Sequence, residues 1–158
     1  MKTKELELKI YFTLAKMGTY LCFEVMIPEA FSPSHRYGNN ERVDLLTWDT
    51  KGIWRFYELK ISVSDFHSKA KKTFYGNFNY YVMPVEIYEK VKHEIPDNIG
   101  CYITHGGQCY CIKKPKRQPL QGQEEPLKNA FIQALSRQHG KLMRMIKNEM
   151  PIKKKKAQ

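Results

Sequence analysis

Two apolar runs separated by one turn constrain this chain more than any other feature. The first is Arg42-Val43-Asp44-Leu45-Leu46 and the second is Phe56-Tyr57-Glu58-Leu59-Lys60, with Thr50-Lys51-Gly52 between them. Both read as buried strands, and the turn makes them an antiparallel hairpin. Residues i and i+2 of a strand share a face, so Glu58 and Lys60 lie together with Leu59 on the other side. The hairpin can bring Asp44 beside Glu58. Charges in an apolar strand cost several kcal/mol unless they are paired or bind a metal. These three side chains therefore call for a chemical explanation.

The rest of the chain supplies the frame. Leu6, Ile10, Leu14 and Met17 recur at helical spacing over 4–17, up to Gly18. A strand over 22–27 is closed by Pro28, and 28–41 reads as a loop rich in Pro, Ser, Gly and Asn. The two strands above span 42–48 and 53–61. Ser62 or Ser64 can then cap a helix that runs to about Thr73. The aromatic run 78–83 suits a buried strand, followed by a short helix over 85–93. Strands over 99–104 and 108–113 flank Gly106-Gly107 as a hairpin. Three prolines mark 114–126 as a linker, and a helix over 127–150 follows. Lys153 to Lys156 form a basic tail, expected to be disordered within 151–158. The crossover from 53–61 to 78–83 implies parallel neighbours. The fold class is α/β, with a mixed central sheet flanked by helices and a core over 1–113.

Charge narrows the partners. The chain has 27 basic and 16 acidic residues, a net charge of +11. That field favours a polyanion, nucleic acid first and an anionic membrane second. With 42% hydrophobic and 13% aromatic residues the chain is globular. No apolar run reaches the length of a membrane span, so a membrane is not expected as a partner. The N-terminus does not read as a signal peptide. The four cysteines, Cys22, Cys101, Cys109 and Cys111, are sparse and irregular, which suits a reducing, cytoplasmic compartment. Cys109-x-Cys111, even with Cys101 and His105, is poorly spaced for zinc.

The acids and the lysine together suit phosphodiester hydrolysis. Asp44 and Glu58 can bind Mg2+ (or Mn2+) through oxygen, with the Leu59 carbonyl as a third ligand. Lys60 can orient a water or stabilise developing negative charge. Glu7 on the first helix is the further acid that can complete the site, with Glu5 and Glu24 as alternatives. Lys69, Lys71 and Lys72 on the following helix can hold phosphates. Tyr75, and Tyr80 after it, can stack on a nucleotide. His35, Arg36, Asn39 and Arg42 lie in or beside the preceding loop, in reach of a strand of DNA. The simpler alternatives are an ion pair between Glu58 and Lys60 on a solvent-facing side of the strand, and a solvated basic face with its tyrosine in the core.

An acid at one strand and Glu-x-Lys in the next, here Asp44 with Glu58-Leu59-Lys60, resembles the PD-(D/E)XK nuclease superfamily. The stretch from Glu58 through Ser62-Val63-Ser64-Asp65-Phe66 to Lys71 and Tyr75 is similar to the MmcB-like DNA-repair subgroup. The likeness covers roughly residues 4 to 104. Two positions depart from the pattern: Val43 stands before Asp44 in place of proline, and Lys69 stands where the subgroup has an acid. The resemblance implies a restriction-endonuclease-like core and a metal-dependent DNA nuclease in repair, recombination or mobile-element biology. The alternatives are a non-cleaving nucleic-acid-binding protein of the same fold, or a regulator or inhibitor of a protein–nucleic acid complex. Oligomeric state stays open, a homodimer included.

Overall fold

The computed structural model describes residues 1–32, 41–69 and 72–151. In chain order the elements are α1 (Thr3–Leu14), β1 (Thr19–Met26), a 3-10 turn (Glu29–Phe31), β2 (Arg42–Asp49), β3 (Trp54–Leu59), α2 (Val63–Phe66), β4 (Phe78–Pro84), α3 (Val85–Val91) with a 3-10 turn (Lys92–Glu94), β5 (Gly100–His105), β6 (Gln108–Lys113) and α4 (Glu124–Glu149). The strands form one six-stranded mixed sheet in sequence order. β1, β2 and β3 are antiparallel, β3 to β5 are parallel, and β6 returns antiparallel to β5.

Local chemistry explains the turns. Asp49 organises the β2–β3 hairpin by accepting from the amides of Lys51 at 2.9 Å and Ile53 at 3.1 Å. Gly52 closes it at φ +77°, a conformation that costs glycine little. Gly106 and Gly107 take φ +56° and +81° in the β5–β6 hairpin, as a two-residue turn of the primed type requires.

Both faces of the sheet are covered. Leu6 and Ile10 of α1 pack on one face against Leu45, Tyr57, Leu59, Tyr80 and Val82. On the other face α4 brings Leu127, Phe131 and Ala134 onto Val43, Leu46, Trp54 and Phe56. Phe66 and α3 cover the β4–β5 half of that face through Tyr81, Met83 and Ile103. Glu58 alternates with Phe56 on β3 and therefore lies along the seam between these last two clusters.

The helix expected to run to Thr73 is a single turn. Ser62 caps it by accepting from the Asp65 amide at 3.0 Å, but the helix stops at Phe66. Lys69 and Lys72 are therefore not on a helix. Lys72 folds back so that its Nζ lies 5.1 Å from the Phe66 ring centre and 5.6 Å from that of Tyr81. Lys71, His35, Arg36, Asn39 and the lysine tail fall outside the described residues.

The proline-rich stretch before α4 is tied down along its length. The amides of Lys116, Gln118, Gln121 and Gln123 donate to the carbonyls of Asn98, Asn77, Tyr75 and Phe31. It is a strap across the body, and α4 begins at Glu124, three residues earlier than its apolar pattern suggests. Gly122 sits where an added Cβ would press on the Phe31 carbonyl and come within 2.6 Å of its ring. Phe31 is fully buried and cannot yield. Gly122→Ala is expected to cost about 1–3 kcal/mol, as overpacking does, read as a lower urea midpoint at unchanged slope.

Candidate active site

The two strands that carry the acids separate where the acids lie. β2 and β3 pair through Leu45↔Tyr57, and that is the last register pair toward the Asp44 end. On its other side β2 passes from Phe23↔Leu45 to Val25↔Val43 of β1 across Glu24. Glu24 has φ +54°, among the described residues the one non-glycine with positive φ. Such a conformation costs of order 1 kcal/mol or more and tends to occur beside functional sites. With the ladder open, the Leu59 amide has no strand partner on β2. The Asp44 carboxylate takes it instead, at 2.9 Å. The amide and carbonyl of one strand residue point to the same side, so the Leu59 carbonyl also faces this opening.

Glu58 is held from the other direction. Its Oε1 accepts from both the amide of Thr73, at 3.1 Å, and the Thr73 hydroxyl, at 2.6 Å. Its Oε2 lies 4.0 Å from Lys60 Nζ, which is also 3.8 Å from Asp65 Oδ1. Asp65 is fixed in turn, accepting from the Ile61 amide at 3.2 Å. The side chains of Glu58 and Lys60 are only 7% and 6% exposed. The simple alternative of a solvent-facing pair is thereby excluded, because both groups lie inside the protein.

Burial sets the proton affinities. It pushes the Asp44 carboxyl above the usual carboxylate range, against the Leu59 amide and the charges of Lys60 and Arg42. It pushes Glu58 up as well, and the nearby Asp44 charge adds to this, while Thr73 and Lys60 oppose it. Both are raised in the folded state, so the unfolded chain gives up these protons first as pH rises. The pair's contribution to stability is full at acid pH and is lost as pH climbs through the folded values. Asp44→Asn keeps an acceptor for the Leu59 amide and removes the repulsion. It should raise the metal-free unfolding temperature at pH 7, by about 2–4 °C if the relief is of order 1 kcal/mol. The gain should disappear near pH 4, where both acids approach protonation. A lower midpoint for Asp44→Asn at pH 7 would show that the two carboxylates do not strain the fold.

The other expected residues are placed differently. Glu7 is engaged by Lys4 at 2.7 Å on α1, Glu5 faces Lys9 at 3.5 Å, and Glu24 faces Arg42 at 3.7 Å. Each thus has a cation of its own, and Arg42 is committed to Glu24. Lys69 is exposed at the surface. Tyr75 is built into the core: its hydroxyl donates to Glu41 at 2.7 Å, and its ring meets Phe31 and Phe56. Tyr80 is buried and stacks on Tyr57 at 4.9 Å. Tyr80 therefore offers no open face to a nucleotide, and Tyr75 is half-buried with its ring against the core.

Three contributors have no clear signal in the sequence. Asp65 belongs to the stretch Ser62-x-x-Asp65-Phe66, where spacing alone gives it no role. It meets Lys60 only because a sharp turn follows β3. Thr73 lies in a polar run that carries no pattern. Glu41, buried beneath Tyr75, has a faint signal, since it alternates with Val43 and Leu45.

Among the described residues, no group of three or more His, Cys, Asp or Glu side chains is placed to hold a metal ion. The donors available are the Asp44 and Glu58 carboxylates, with the main-chain oxygen of Leu59 on the side of β3 that faces Asp44. That set suits magnesium, which is commonly bound through one or two carboxylates and keeps several waters. It suits neither zinc nor copper, which seek nitrogen and sulfur. No helix among the described residues is long and apolar enough to cross a membrane.

No family model matches the chain, and no curated protein matches it. Among solved structures it is similar to the SPO1766 protein of unknown function from Silicibacter pomeroyi. The two share 17% identity at a TM-score of 0.65, over 98% of each chain. At that identity the likeness shows a shared fold along nearly the whole chain.

Proposed function

We propose that this chain is a metal-dependent nuclease acting on DNA, built on a PD-(D/E)XK-type core. The observation that carries the reading is the opening between β2 and β3. There the half-buried Asp44 lies near the buried Glu58 and Lys60 beside an open main-chain edge. A fold needs none of these charges at that place, and each costs several kcal/mol to bury without compensation. A net charge of +11 supports a polyanionic substrate.

Asp44 and Glu58 would hold a magnesium or manganese ion, with the Leu59 carbonyl beside them. Such an ion, when bound, supplies positive charge against the phosphate and acidifies an attacking water. The chain's own groups do the rest. Thr73 fixes Glu58 through two hydrogen bonds. Asp65 holds the Lys60 ammonium at the edge of the site. Lys60 stabilises the negative charge that develops on the phosphate oxygens.

The test is cleavage of single-stranded, duplex and branched DNA in Mg2+, in Mn2+ and in EDTA. Products should form with either metal, vanish in EDTA, and vanish with Glu58→Gln. Tight, salt-sensitive binding with no cleavage in either metal would replace this reading with a non-cleaving nucleic-acid-binding protein.

A further inference from the structure

α4 runs on after its packing ends. Leu127, Phe131 and Ala134 are its buried residues, and every residue from Lys141 to Met150 is exposed. The nine helical residues from Lys141 to Glu149 extend about 14 Å. A helical segment that short is marginal in water without a packed face. Yet Leu142 is 53% exposed, Met143 51%, Ile146 43% and Met150 63%.

These side chains form a stripe. Leu135, His139, Leu142, Ile146 and Met150 recur at helical spacing along one side, with Met143 beside them. Arg137, Lys141 and Arg144 occupy the opposite side, and Lys147 flanks the stripe next to Met143. The helix is amphipathic where nothing in the chain's described residues lies against it.

We propose that this stripe is the interface of a homodimer, formed by α4 packing antiparallel on α4 of a second copy. A two-fold axis near Leu142 and Met143 sets Leu135 opposite Met150 and His139 opposite Ile146, so the stripe complements itself. Antiparallel helices also place their dipoles favourably. Five apolar side chains on each copy bury roughly 1,000 Å², which reaches the lower end of specific interfaces. The net charge does not forbid it. Arg137, Lys141 and Arg144 lie on the far side of each helix, a helix diameter of about 10 Å or more from the seam and beyond the Debye length of about 8 Å, while the flexible stem of Lys147 lets its charge reach out from the rim. Methionine at the seam adapts to either packing partner. A nucleic acid would instead engage the basic side and leave the stripe bare. This interface is independent of the proposed cleavage site and stands or falls without it.

The test is the mass of the full chain by light scattering and sedimentation equilibrium, from about 1 to 100 µM, a span that resolves micromolar association. The wild type should approach twice 18.7 kDa. Leu142→Gln with Ile146→Gln should be monomeric, with association weakened by about 100-fold or more. Both residues are exposed, so circular dichroism and core melting should be unchanged. Phe12→Gln, at another exposed apolar site on α1 (74%), should leave the dimer intact. A wild type of 18.7 kDa throughout would overturn the proposal. So would a dimer that survives the double substitution, or one that Phe12→Gln breaks. Co-sedimentation of a monomeric wild type with phosphatidylserine vesicles would overturn it in favour of an anionic bilayer.

Discussion

Lys60→Met is expected to lower turnover by about 10²–10³-fold while DNA affinity stays within about twofold. Methionine fills most of the space the lysine stem occupies, so packing at this 6% exposed position is largely kept. What is lost is the ammonium between Glu58 and Asp65. In the proposed nuclease that charge acts on the transition state, and loss of one such preorganised group commonly has this magnitude. An effect on kcat without an effect on binding is the signature of an interaction made only in the transition state. Lys60→Arg should also fail, since a guanidinium is bulkier and its planar fork does not fit between two carboxylates 3.8–4.0 Å from the present nitrogen. Wild-type turnover in Lys60→Met, measured at saturating metal, would reduce the lysine to a partner in a buried ion pair.

Trp54→Ala should remove about 3–5 kcal/mol of stability, the range for deleting a large buried aromatic. Trp54 is 1% exposed. It stacks on Trp48 at 5.4 Å and meets Phe131 of α4 edge to face at 5.8 Å. Its Nε1 donates to Glu124 at 3.0 Å, in the first turn of the same helix. One side chain therefore joins β3 to α4 by both packing and a hydrogen bond. Domains carry about 5–15 kcal/mol in total, so the variant should sit near the edge of folding at 37 °C, with a midpoint lower by about 10 °C. Phe131→Ala should show a similar cost, and the double variant less than the two combined, because the rings share a contact. A loss below about 1 kcal/mol for Trp54→Ala would mean that α4 is not anchored at this point.

The sheet is legible in the sequence because its strands announce themselves by composition and its turns by glycine. Thr50-Lys51-Gly52 and Gly106-Gly107 both make the hairpins they suggest. The juxtaposition of Asp44, Glu58 and Lys60 is legible too, from the period of two in β3 and the register of one hairpin. Other features depend on tertiary contacts that no local pattern encodes. Polar residues after Ser62 suit a helix, but Phe66 turns inward onto Tyr81 at 5.0 Å and the chain leaves the helix to bring Thr73 beneath Glu58. Tyr75 reads either as a ring for a nucleotide or as part of the core, and nothing local decides between them. Its partner Glu41 lies 34 positions earlier, too far for spacing to reveal. Glu7 falls on the inward side of α1 by periodicity, yet Lys4 one turn earlier takes its charge.

Everything proposed for the site depends on Asp44 and Glu58 binding a hard divalent cation. Calorimetric titration of Mn2+ and Mg2+ into the DNA-free protein at pH 7.5 tests this without reference to cleavage. The wild type should give heat, with one site per chain. Both Asp44→Asn and Glu58→Gln should lose the site. No binding by the wild type with or without DNA, or equal binding by the wild type and both variants, would contradict the assignment.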